Sequence, residues 1–291
     1  MSFMKSIIQL LRPQQWVKNG FVFLPMFFSG NLFDGEMWVK SIWIFIAFSL
    51  AASSIYCLND IKDAAADRLH PVKKLRPVAS GKINRFEALS IMATLITGAL
   101  LMSWFLTGWM ASAIIAAYIV LNIMYCLGLK KVAIVDVFII SIGFVLRVVA
   151  GGVADGIMLS PWIILMTFLL ALFLAFAKRR DDVILYQETK VVVRSNIVNY
   201  NLPFLDQTLG LLGCMTIVCY IMYSVSPEVE GRFNCRYVYI TSFFVLAGIL
   251  RYLQISMVNK KSGSPTKILL KDRFIQIVTV CWILAFVIIL Y

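Results

Sequence analysis

Within nine residues, the stretch Asn59 to Asp67 (NDIKDAAAD) gathers three carboxylates and a side-chain amide. It follows directly on SIWIFIAFSLAASSIYCL, a run without a single charge. If one helix continues through both at about 100° per residue, Asn59, Asp60, Asp63 and Asp67 fall at about 0°, 100°, 40° and 80°, on one face. Tyr56 lies beside that face one turn earlier. Carboxylate and amide oxygens suit Mg²⁺, which takes one or two carboxylates and completes its shell with phosphate oxygens and water. Lys73, Lys74, Arg76 and Lys82 follow in the same polar stretch. Acids beside bases at the end of an apolar run describe a site for a metal-bound diphosphate. A solvated loop of a membrane protein explains the Lys and Arg, but not the acids, which the positive-inside rule ignores.

Basic groups recur at the ends of two further apolar runs. YCLGLKKVAIVD carries Tyr125, Lys130, Lys131 and Asp136, and AFAKRRDDVILYQ carries Lys178, Arg179, Arg180, Asp181 and Asp182. Tyr118, Asn122 and Tyr125, spaced i, i+4, i+7, form a polar stripe suited either to interhelical hydrogen bonds or to a cavity lining. Arg147 lies inside an apolar run, where an ionisable group faces a cavity or a partner. Two readings stand for it: a phosphate ligand on nearly the same face as Asp136, or an outward-reaching partner of Asp155. His70, the one histidine, reads as a loop residue rather than a base.

A membrane frame has to position these groups. The 291 residues are 61% hydrophobic and 14% charged, against about 45–50% and about 25% in soluble domains. Apolar windows of about 20 residues place spans near 14 to 33, 41 to 58, 87 to 106, 109 to 127, 132 to 153, 160 to 177, 207 to 224, 237 to 254 and 274 to 290. Runs this long and uniformly apolar must be helices, because barrel strands are shorter and alternate. The expected fold class is therefore all-α, a polytopic membrane protein of nine transmembrane helices in a single domain, 1-291. No small-residue cleavage site follows the first run, so the N-terminus is expected to be kept.

The net charge of +12 does not indicate nucleic acid. All but five of the 27 Lys and Arg fall on the side of the spans that holds the N-terminus, the exceptions being Lys40, Arg232, Arg236, Arg147 and Arg251. That asymmetry puts the N-terminus in the cytoplasm and Tyr291 on the opposite side. The six cysteines include no CxxC pair, which argues against a zinc or disulfide framework.

Together these residues resemble the UbiA superfamily of intramembrane transferases. NDIKDAAAD fits the family motif NDxxDxxxD, and HPVKKLRPVASGKI looks like its continuation. RPQQWVKN, LKKVAIVDVFIISIGFVLRVVAGG, AKRRDD and RSNIVNYNLPFLDQ are similar, in order, to segments of the polyprenyl-phosphate phosphoribosyltransferase branch. The second acidic motif of the prenyl-transferring branches, DxxxD, is replaced here by KRRDDVILYQE.

The resemblance implies a UbiA-like bundle in the plasma membrane, with a cytoplasm-facing active-site cavity. It implies transfer of 5-phosphoribosyl from phosphoribosyl pyrophosphate to a polyprenyl phosphate, giving a lipid-linked pentose for cell-envelope glycans. Asn59, Asp60, Asp63 and Asp67 would hold Mg²⁺, with the three Asp at the reaction centre. Lys18, Tyr56, Lys73, Lys74 and Arg76 would bind the donor. Tyr125, Lys130, Lys131, Arg147, Lys178 and Arg179 would bind the lipid phosphate or a donor phosphate. A prenyltransferase acting on an aromatic acceptor is the alternative, a non-catalytic lipid transporter or binder the second, and a homo-oligomer is left open.

Overall fold

A computed structural model describes residues 3–69, 72–190, 196–233, 235–258, 268 and 271–290, and every regular element among them is helical. His70 lies outside the described residues. The order is α1 (Phe3–Leu11), a 3₁₀ stretch (Pro13–Phe23), α2 (Leu24–Ser29), α3 (Gly35–Leu69), α4 (Arg85–Thr107), α5 (Trp109–Leu127) and α6 (Val135–Asp155). There follow α7 (Pro161–Thr189), α8 (Leu202–Ser224), α9 (Pro227–Phe233), α10 (Ser242–Met257) and α11 (Arg273–Leu290).

Local chemistry sets the helix starts. Asn84 and Glu87 close a reciprocal capping box at α4. Ser160 caps α7 ahead of Pro161, and Asn201 caps α8 ahead of Pro203, proline being tolerated where its missing N–H would be unbonded anyway. Gly108 at φ 100° makes the one-residue turn between α4 and α5.

Seven helices among the described residues are long and apolar enough to cross a membrane: α3 to α8 and the stretch Tyr237–Met257 that ends in α10. In α4 only 11% of the most apolar window is buried, and Trp104 and Phe105 stand exposed, as expected of a helix whose outer surface meets hydrocarbon. The chain is an all-α, multi-pass membrane protein, but nine spans are not reproduced among the described residues. α11 is apolar and shorter than the other seven. The span expected near 14 to 33 is no continuous α-helix: Pro13–Phe23 winds as 3₁₀ and α2 has only six residues. Pro25 removes an N–H donor from any α ladder through the middle of that span, and Gln14, Gln15, Lys18, Asn19 and Gly20 break up the apolar run.

The chain divides into two compact units, Met1–Leu129 with Gly143–Leu159, and Lys130–Ile142 with Ser160–Tyr291, the division falling inside α6. The core of the first is built from Val22, Ile44, Ala47, Phe48, Ala51, Ile115, Tyr118 and Ala150. Small residues let its backbones approach closely. At Gly151 of α6 a Cβ would stand 2.0 Å from the carbonyl oxygen of Val22. The second unit packs Leu172, Phe173, Phe176, Leu205, Leu209, Ile249 and Tyr252 together.

Candidate functional site

α3 runs unbroken to Leu69, so Asn59, Asp60, Asp63 and Asp67 share one helix. They lie on its covered side: Asp60 and Asp67 are buried and Asn59 and Asp63 half-buried, whereas Lys62, Ala65 and Ala66 are exposed. Asp60 Oδ1 accepts from Arg12 Nη2, and Arg76 Nη1 stands 3.4 Å from the same oxygen. Arg76 Nη1 also donates to Asp67 Oδ2 at 2.6 Å, so it bridges two acids. Asp60 Oδ2 is buried with no hydrogen-bond partner. The Arg12 guanidinium covers Tyr56, 5.0 Å from the ring centroid. Asn59 Oδ1 accepts a long bond, 3.9 Å, from the Cys126 thiol. The following loop is tied back by Arg68 Nε, which donates to Ala79 O at 3.2 Å. It presents Lys73 half-buried and Lys74 exposed in a 3₁₀ turn.

Sequence reasoning misses Arg12, Trp16 and Asn19. Trp16 Nε1 donates to Ser53 Oγ at 3.1 Å, and Asn19 Nδ2 donates to Ser49 Oγ at 2.9 Å. Ser53 Oγ in turn donates to Leu11 O at 2.9 Å. The N-terminal residues are spaced 12, 16, 19, and their partners on α3 run the other way at 60, 56, 53, 49. The four on α3, spaced by three and four, keep one helix face, and that periodicity of polar groups is the signal that was available. Lys18, next to the buried Asn19, is half-buried.

Arg147 is only 6% exposed. Its Nε donates to Asn19 Oδ1 at 2.7 Å, Nη1 to Gly143 O at 2.6 Å and Nη2 to the Tyr118 hydroxyl at 3.1 Å. The rings of Phe48, Tyr118 and Phe144 surround it at 5.3, 4.8 and 5.3 Å. The pairing with Asp155 is not found: Asp155 Oδ2 accepts instead from Ser41 Oγ at 2.7 Å. Of the polar stripe, Tyr118 makes an interhelical hydrogen bond to Arg147, and Asn122 Nδ2 bonds back to the Tyr118 carbonyl at 2.8 Å.

The second unit holds its own buried polar cluster. Arg179, 1% exposed, donates from Nε to Asp136 Oδ2 at 2.8 Å, and its Nη2 nears the same oxygen at 2.7 Å, off the hydrogen-bond direction. Arg179 Nη1 lies 3.5 Å from Asp182. The Tyr200 hydroxyl donates to Asp136 Oδ1 at 3.2 Å and accepts the Ile134 N–H at 2.7 Å. Burial pushes that hydroxyl up to about 12, the neighbouring Asp136 carboxylate acting in the same direction. Ile134 is left-handed at φ 70°, a costly conformation for a β-branched residue. It closes the loop that carries Lys130, half-buried, and Lys131, exposed. Arg180 is bound to Asp206 at 2.5 Å and to Ser256 O at 2.7 Å. Lys178 is half-buried.

The structure thus places Lys18, Tyr56, Asn59, Asp60, Asp63, Asp67, Lys73, Lys74, Arg76, Tyr125 and Arg147 in the first unit, and Lys130, Lys131, Lys178 and Arg179 in the second. Arg147 and Arg179, expected to hold phosphate, direct their guanidinium groups to protein partners. An open groove of about 470 Å³ between Ala247, Leu250, Arg251, Gln254 and Phe274 includes none of the predicted residues. Among the described residues no three His, Cys, Asp or Glu converge on one point, Asp60 and Asp67 being turned to arginine. The donor set nonetheless suits Mg²⁺: hard oxygens on one helix face, with the buried Asp60 Oδ2 an acceptor lacking a donor.

An all-α frame of apolar helices with acids and an amide near a helix end is the arrangement of a multi-pass membrane protein with a polar site at the edge of its apolar spans. Residues 22–278 match the UbiA prenyltransferase family, and the chain belongs to it. It is similar to the decaprenyl-phosphate phosphoribosyltransferase of Mycolicibacterium smegmatis, 34% identical over 97% of this chain and 91% of the relative. The enzyme of that name from Corynebacterium glutamicum is 30% identical, over 98% and 87%. In fold, a UbiA homologue from Archaeoglobus fulgidus bound to DMAPP and Mg²⁺ superposes with a TM-score of 0.71 over 98% of this chain and 99% of that one, at 17% identity.

Proposed function

We propose that this protein transfers the 5-phosphoribosyl group of phosphoribosyl pyrophosphate to a polyprenyl phosphate and releases diphosphate. The observation that carries this reading is the covered acid face of α3, with its unpartnered buried oxygen on Asp60, followed in one loop by Lys73, Lys74 and Arg76. Near full-length similarity to relatives named for this transfer supports it.

Asn59, Asp60, Asp63 and Asp67 would hold Mg²⁺. Bound there, the ion supplies charge neutralisation to the departing diphosphate. Lys18, Tyr56, Lys73, Lys74 and Arg76 bind the donor and stabilise negative charge where it develops. An oxygen of the lipid phosphate forms the new bond to ribose C1 as the bond from C1 to the diphosphate oxygen breaks, the diphosphate leaving with the electron pair. The lipid phosphate is ionised at neutral pH and needs no strong base, in keeping with a site made of acids and permanent cations. Tyr125, Lys130, Lys131 and Lys178 are assigned to the lipid phosphate, while Arg147 and Arg179 hold the frame. In this reading the acid face meets the cytoplasm, in the plasma membrane.

Membranes containing the protein, incubated with ribose-labelled phosphoribosyl pyrophosphate, a polyprenyl phosphate and Mg²⁺, should move label into the organic phase. Asp63→Asn should abolish that transfer in protein that still inserts. Undiminished transfer by Asp63→Asn, or product formation from an allylic diphosphate and an aromatic acceptor instead, would overturn the proposal.

A further inference from the structure

Two arginines stand on the carboxylates that the proposed Mg²⁺ needs. Arg12 engages Asp60, and Arg76 reaches both Asp60 and Asp67. The acids are buried, at 1% and 4% exposure, whereas the Arg12 and Arg76 side chains are 20% and 24% exposed. The cations therefore have a way out to water that the acids lack. A buried carboxylate is costly without a charge partner, so whatever leaves Asp60 must be replaced.

Arg12 is held there by an unusual backbone. At φ 53° and ψ 58° it is left-handed, and its N–H closes α1 onto Ile8 O at 3.2 Å. Helices usually give that position to glycine. Strained residues of this kind cluster at functional sites. The conformation aims the side chain along α3, over Tyr56 and onto Asp60.

We propose that Arg12 and Arg76 are resident counter-cations of the acid face, which compete with the divalent metal for Asp60 and Asp67 and, once displaced, bind the donor's phosphates. The inference rests on the reading of the acid face as a metal site. Asp60 Oδ2, buried and unpartnered, gives a second cation a foothold on the same carboxylate while Arg12 still occupies Oδ1. Exchange keeps the acid face compensated at every stage, and it makes the phosphate-binding cations available only after metal has arrived. Metal then binds before donor.

The test is thermal unfolding of the purified protein in detergent, followed by tryptophan fluorescence and titrated with Mg²⁺ or Mn²⁺ without donor. Arg12→Asn removes the charge and tolerates the left-handed backbone, and Arg76→Gln is its counterpart. Competition predicts a lower melting temperature without added metal, a larger rise at saturation than in the unsubstituted protein, and a metal midpoint lower by about tenfold or more. The donor KM of both variants should rise by a similar factor. An unchanged or higher metal midpoint, with the same fall in melting temperature, would mean that the arginines merely support the fold, and would overturn the proposal. If the unsubstituted protein itself gives no metal response, the metal site fails and this inference with it. If it responds, and Asp63→Asn abolishes the response while neither arginine variant shifts the midpoint, only the competition fails. Should Arg12→Asn not fold, Arg76→Gln decides alone.

Discussion

Replacing Arg147 by lysine separates a frame role from a substrate role. The guanidinium makes three hydrogen bonds, to Asn19, Gly143 and Tyr118. Lysine keeps the charge but ends in a single ammonium that cannot span three acceptors, so we count two bonds lost. At the low end of about 1.5 kcal/mol for a hydrogen bond to a charged group, the loss is about 3 kcal/mol. At about 2–4 °C per kcal/mol for a domain of this size, the melting temperature should fall by about 6–12 °C. Asn19→Ala should produce a fall of similar size, and the double variant should be less than additive because the two share one bond. In the folded fraction of Arg147→Lys the KM for polyprenyl phosphate should stay within about twofold, no phosphate contact having been removed. An unchanged melting temperature together with a KM raised tenfold or more would refute the reasoning, because the guanidinium would then be facing the lipid.

Gly151→Ala should abolish folding or sharply lower the yield of inserted protein, since its Cβ would meet backbone at Val22, whereas Gly152→Ala, which meets only the flexible end of Leu159, should be far milder; detergent-extracted monodisperse yield distinguishes them. Tyr200→Phe removes the hydroxyl that donates to Asp136 and accepts from Ile134, and should raise the KM for polyprenyl phosphate more than that for the donor, measured by varying each substrate in turn. Because the Tyr200 hydroxyl is shifted upward to about 12, the folded state holds its proton where the unfolded chain has lost it. Stability contributed by Tyr200 should therefore fall as pH rises from about 10 to about 12, a slope that Tyr200→Phe should flatten in pH-dependent melting curves. Reporter tags at Lys74 and Lys190 should be cytoplasmic and tags at Asp34, Asp155 and Glu230 on the opposite side; protease protection of either set in the wrong sense would break the topology.

The acid face was legible because its signal is local: the four residues of NDIKDAAAD take their geometry from one helix, and α3 supplies it. Arg147 was legible as costly but not as to partner. Charge complementarity along the same helix pointed to Asp155, eight residues on, while the partner chosen is the neutral Asn19, 128 positions away. Arg179 finds Asp136 across 43 positions, again a pairing no spacing encodes. The first expected span differs in winding because averaged hydropathy counts apolar residues without asking whether their backbone can form a continuous α ladder, and Pro25 interrupts one at mid-span. Arg12 escaped notice because a lone cation before a proline reads as a loop. Only the matching spacing of Ser49, Ser53, Tyr56 and Asp60 on α3 gives it meaning.

The 3₁₀ stretch Pro13–Phe23 bears on how polar groups are accommodated in an otherwise apolar frame. With Gln14, Gln15, Lys18 and Asn19 among eleven residues, it is a poor candidate to enter the bilayer alone, polar side chains being costly at depth. Its Trp16 and Asn19 take partners from Ser53 and Ser49 on α3, so that helix compensates polar groups the stretch could not bury by itself. Asn19 gains its remaining bond from Arg147, and Val22 its close neighbour from Gly151, both on α6. Its seat in the first unit therefore needs both helices, the second bonding Asn19 from 128 positions further along the chain.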